Sequence, residues 1–126
     1  AWSAVSQIAL DRDVEEREGT FGARIARLEP DAVIDLICFT PESARQMVDA
    51  LRGSVRHLLH CGTIWVHGPT VQAPTTEEQA RRPFGRYGID KAATEDLLLA
   101  AARRDGFPAT VLHPGHIVGP GWVPLN

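Results

Sequence analysis

No charge of one sign dominates this chain: 13 basic residues stand against 16 acidic ones, and neither sign forms a long run. A nucleic-acid partner is therefore not expected, because recognising a polyanion needs a clustered basic surface. No apolar stretch approaches the roughly 20 residues that span a bilayer, and the first residues lack the charged-then-apolar layout of a secretory signal. The expectation is a cytoplasmic protein with no membrane partner. Cysteine is scarce as well. Cys38 and Cys61 each close an apolar run, where a reduced thiol is at home, and two cysteines in a chain of this size do not suggest a disulfide framework.

What is present is an ordinary apolar fraction, 44%, in a chain of 126 residues, which suits one domain. Four stretches read as strands: "AVSQIAL" (4–10), "AVIDLICF" (32–39), "RHLLHCG" (56–62) and "PATVLHP" (108–114). Short apolar runs bounded by Gly, Pro or Asp fit strands of a parallel sheet buried on both faces. Between them, "TFGARIARLE" (20–29), "PESARQMVDALRG" (41–53) and "YGIDKAATEDLLLAAARRDG" (87–106) carry apolar residues near helical spacing, and the last two reach a glycine where a helix stops. Alternation of this kind predicts an α/β fold with helices on both faces of a parallel sheet. Residues 68–86 show little periodicity and read as a long loop of the kind that often serves function.

In open α/β sheets ligands bind outside the carboxyl ends of the strands. Those ends carry Cys38 and Phe39, then Cys61, Gly62 and Thr63, then His113, Pro114, Gly115 and His116. Tyr87 and Lys91, four apart at the start of the long helix, fall on one helix face. A free tyrosine ionises near pH ~10, too high for a base at neutral pH, and an adjacent ammonium favours the phenolate. A nearby hydroxyl such as Thr63 completes a proton-transfer pair.

Metal and hydrolase readings are weaker on the same residues. His57, His60, Cys61 and His67 cluster in sequence, but along a strand positions 57 and 60 face opposite ways, so a shared zinc is not expected. The nucleophile elbow G-x-S-x-G is absent.

Taken in order, "CGTIWVHG" (61–68), "YGIDK" (87–91) and "HPGHIVGPG" (113–121) resemble the extended short-chain dehydrogenase/reductases, the NAD-dependent epimerase/dehydratase family. The resemblance implies a Rossmann-type domain over 1–126, partial because nothing matches the family's glycine-rich phosphate loop and because the chain stops just past the nicotinamide turn. It implies Thr63 as the hydroxyl partner, Tyr87 as acid/base, and Lys91 as the residue that holds the nicotinamide ribose. Pro114, Gly115 and His116 would line the nicotinamide pocket beside Cys38 and Phe39, and Asp11 would stand near the adenine. NAD or NADP is the implied cofactor, and a nucleotide-sugar or similar alcohol the implied substrate of an epimerase or reductase. Sugar-nucleotide dehydratases of the family follow the threonine with Asp and Glu; Ile64 and Trp65 stand here, which disfavours dehydration. His67 replaces a tyrosine common before the glycine. The helix 87–104 corresponds to one that often packs against a second subunit, so a homodimer is implied too. The alternative is an incomplete, non-catalytic module that keeps the fold for binding.

Overall fold

A computed structural model describes residues 4–70 and 72–121. Its elements run α1 (Arg12–Arg17), α2 (Phe21–Ala26), β1 (Ala32–Asp35), α3 (Pro41–Leu51), β2 (His57–Cys61), a 3-10 turn (Ile64–His67), α4 (Gly85–Asp105) and β3 (Ala109–Leu112). The strands form one parallel sheet in the order β1-β2-β3, with Val33 opposite Leu58 and Leu58 opposite Ala109. Parallel pairing forces each return to cross over the sheet, and α3 and α4 make the two crossovers.

Both helices land on the same side. Met47, Val48 and Leu51 from α3 meet Leu98 and Ala101 from α4 over Leu58, with Phe21, Val55 and Phe107 closing the core. Consecutive crossovers of one hand, stepping the same way across a sheet, place their helices on one face. The other face is uncovered among the described residues: Ile34 is 65% and Leu112 49% exposed. Of the two covered faces expected from the apolar runs, the described residues supply one.

Local chemistry accounts for the boundaries. Thr40 caps α3 by accepting from Ser43 N, and Pro41 occupies the first turn, where its missing N–H is no loss. The helix α4 ends at Gly106 in the left-handed conformation (φ 66°), whose N–H bonds back to the last turn. That helix starts at Gly85, two residues before the tyrosine that the sequence placed first. The expected strand at 4–10 is not formed: residues 4–9 are exposed and the stretch pairs with nothing in the described sheet. With no neighbour in the described sheet to satisfy its backbone, the segment has little to hold it in a ladder. The charged run after it folds instead into α1, capped by Asp11, which accepts from Val14 N at 3.1 Å.

Candidate functional site

The carboxyl ends of the strands converge on one face of α4. Successive turns of that face carry Tyr87, Lys91 and Glu95, spaced four apart. The 3-10 turn packs against this helix: a Cβ on the buried Gly88 would meet Trp65 O at 3.4 Å, close to an ordinary contact distance.

Lys91 is 2% exposed, and its ammonium donates to Cys38 O at 2.9 Å and to Cys61 O at 2.5 Å. It thus ties the segment that follows β1 to the end of β2. His60 Nε2 lies 3.5 Å away as a third acceptor. Burial lowers the lysine's pKa from its ordinary value, partly offset by the cysteines and Asp35. Burial, then the Lys91 charge, pushes His60 down to about 4, so its imidazole is neutral and able to accept.

Thr63, also buried, caps the 3-10 turn: its Oγ1 accepts from Trp65 N at 3.3 Å. The turn is pinned to β3 through Gly62 N to Leu112 O (2.8 Å) and Ile64 N to Pro114 O (3.4 Å). Gly62 is required by proximity, since a Cβ there would sit 2.7 Å from Leu112 O. Tyr87 is 45% exposed, its ring 6.4 Å from Phe39 and 6.2 Å from Trp65. Among the described residues its hydroxyl makes no hydrogen bond.

Thr63, Tyr87, Lys91, Cys38, Phe39 and Pro114 therefore gather at one edge of the sheet, with Gly115 and His116 exposed just beyond Pro114. Cys38 is buried, its thiol against Thr40 O and its pKa raised by burial. Asp11 takes an ordinary role as the cap of α1 and is exposed.

Three features escaped sequence reasoning. Asp35 is buried beneath the site and receives both arms of Arg12, at 2.6 and 2.9 Å. Burial alone would lower the arginine's pKa, but Asp35 and Glu16 hold it above the usual value. A carboxylate inside the apolar run "AVIDLICF" was the available signal, since a buried charge needs a partner. Secondly, Asp35, Cys38 and His60 bring potential ligand atoms within 4.8 Å of one another. Arg12 occupies both Asp35 oxygens and the Lys91 ammonium faces His60, so two cations already hold the ground a metal ion would need. Thirdly, Glu95 binds His113 Nε2 at 2.8 Å, anchoring the end of β3 to the same helix face as Lys91. His57 and His60 face opposite ways, the first exposed and bonded to Thr110, the second buried.

Comparison with known proteins agrees with this geometry. Residues 41–125 match the model of the NAD dependent epimerase/dehydratase family. The chain belongs to that family. Over 77 residues it is 38% identical to a 2'-dehydrokanamycin reductase from Streptomyces kanamyceticus, a match covering 61% of this chain and 22% of that enzyme. The chain thus spans about a fifth of the length of the curated relative it matches. A candidate epimerase from Burkholderia cenocepacia superposes with a TM-score of 0.75 at 22% identity, covering 92% of this chain and 41% of its own. RMD from Pseudomonas aeruginosa, solved with NADPH, superposes with a TM-score of 0.63 at 27% identity, covering 72% and 37%. The first of these structures establishes the parallel Rossmann-type fold.

Proposed function

We propose that this chain is the catalytic portion of an NAD(P)-dependent epimerase or reductase that acts on a secondary alcohol or ketone of a nucleotide-sugar or similar molecule. The observation that carries the reading is the placement of Tyr87. It stands half in solvent with an unengaged hydroxyl among the described residues, one helical turn from a buried ammonium and with its ring 6.2 Å from Trp65, in the turn that Thr63 caps.

In this reading Tyr87 takes the proton from the substrate hydroxyl in oxidation and returns it in reduction. Thr63 orients that oxygen when its Oγ1 donates to it, while the same atom still accepts from Trp65 N. Lys91 keeps a positive charge between the carbonyls of Cys38 and Cys61, on the same helix face as the tyrosine. Phe39 is half exposed, and Gly115 has open space where a Cβ would be. Cys38, Phe39, Lys91, Pro114, Gly115 and His116 would hold the nicotinamide end of NAD or NADP. When bound, the nicotinamide accepts or donates the hydride. Asp11 belongs to the adenine end in this reading, in addition to capping α1.

The relatives carry the same sense: one is a reductase and another was solved with NADPH. The test is Tyr87→Phe, which deletes one oxygen from a half-exposed ring and leaves packing alone. Hydride transfer from UDP-glucose to NAD or NADP, followed by absorbance of the reduced cofactor, should fall about 100- to 10,000-fold with cofactor binding retained. Failure of the folded protein to bind either dinucleotide would instead favour a non-catalytic module.

A further inference from the structure

Aromatic side chains divide into two groups among the described residues. Phe21 and Phe107 lie in the core, whereas Phe39, Trp65, Phe84 and Tyr87 are 43 to 52% exposed and adjoin one another. Large rings held half in water at one place give up burial that the core would have rewarded, and such surfaces mark places of contact with a ligand or a partner.

The four are ordered. Trp65 stacks on Phe84 with ring centroids 5.2 Å apart and planes 17° from parallel, forming a flat wall. Tyr87 meets that wall edge-on, at 81°. Tyr87 also adjoins Phe39, whose ring centroid lies 5.5 Å from the Lys91 ammonium. Tyr87 thus adjoins both Phe39, which follows β1 and neighbours the lysine, and the wall carried by the 3-10 turn. With the nicotinamide assigned to Phe39, the wall is left for substrate.

We infer that Trp65, backed by Phe84, is the specificity-determining platform for a saturated hydroxylated ring that stacks one face on the indole while presenting an edge hydroxyl to Tyr87. This rests on the functional reading above. The chemistry of the wall selects the occupant. An aromatic face is negative at its centre, and the C–H bonds on one face of a pyranose-like ring point a weakly positive, apolar surface at it. Ring hydroxyls then project sideways, toward Thr63 and water. An open-chain polyol has no such face to present. Ile64, exposed next to Trp65 in the turn, also suits a C–H surface better than a charged one.

The test reads the Trp65 indole N–H signal by NMR, assigned through its disappearance in Trp65→Phe. The protein is titrated with methyl β-glucopyranoside and, in parallel, with sorbitol at equal concentrations. The inference expects a saturating shift with the glucoside and one about five-fold smaller or absent with sorbitol, the cyclic form alone having a face to stack. Trp65→Leu, at a half-exposed position and without the π surface, should weaken glucoside binding about ten-fold, read from the remaining protein signals, while Trp65→Phe weakens it less. Equal shifts with both probes, or none with either, overturn the inference. So does an indole signal that ignores both sugars and moves with protein concentration, which would make the wall a protein interface. A retained glucoside shift in protein that binds no dinucleotide would sink the catalytic reading and leave the platform standing.

Discussion

Acidification of His60 offers the sharpest check on the electrostatics of the site. The ring is 1% exposed, its pKa is held down to about 4 by burial and by the ammonium 3.5 Å away, and its ordinary value is 6.5. Because the folded state takes up this proton less readily than the unfolded one, stability must rise with pH between those two values. The contribution is fully present above 6.5, erodes as pH falls and is lost by about 4. The interval between 6.5 and about 4 corresponds to about 3 kcal/mol, at ~1.4 kcal/mol for each tenfold change in proton affinity. Urea unfolding at a series of pH values measures the effect, with His60→Asn as reference, since it keeps a hydrogen-bond acceptor and removes the titration. Carboxylates that titrate in the same range are common to both proteins and cancel in the difference. Wild type should lose about 3 kcal/mol more than the variant between neutral pH and pH ~4. An NMR titration of the ring protons should place the midpoint near 4, and Lys91→Met should raise it, because the nearby positive charge is gone while burial remains. Parallel stability curves for the two proteins, or a midpoint near 6.5, would refute the placement of a neutral imidazole against a charged lysine.

Two further substitutions test the frame that holds the site. Leu58 lies 2% exposed on the central strand, so Leu58→Ala should cost about 2–5 kcal/mol in urea unfolding, and a loss under ~1 would mean the two helices do not pack over it as described. Gly62→Ala should cost about 1–3 kcal/mol, because its Cβ would press on the backbone of β3 at Leu112 O, whereas Gly115→Ala, with nothing within 4 Å, should be near neutral. Similar thermal shifts from both glycine substitutions would undo the claim that Gly62 sets the spacing of β2 and β3.

Much of the frame was legible because it depends on local chemistry. The apolar runs at 32–39, 56–62 and 108–114 contain all three strands, and the breakers Pro41 and Gly106 mark real helix ends. The run at 4–10 misled because β propensity says nothing about whether a neighbouring strand is there to pair with. The charged segment after it hid α1, whose signals, a capping Asp11 and acidic residues in the first turn, were outweighed by its charge. The candidate site residues were proposed from motif order, not from spacing alone. The contacts that complete the site are long-range: Trp65 with Phe84, Glu95 with His113, Arg12 with Asp35. No periodicity encodes which distant side chains a parallel sheet will bring to one edge.

The same geometry changes what the Tyr-x-x-x-Lys pair can be said to prove. Lys91 bonds the segment that follows β1 and the end of β2, and Glu95, a turn further on, bonds His113 at the end of β3, so one helix face clamps all three strands. A buried lysine is costly, and here two carbonyls and a neutral imidazole offset that cost. Lys91 would therefore be needed by the fold whether or not the chain catalyses anything, and loss of activity in a lysine variant could not separate the two roles. Tyr87 carries no such duty. Its hydroxyl holds nothing among the described residues and its ring is half in water, so the fold has little use for that oxygen. The weight of the catalytic reading falls on that atom.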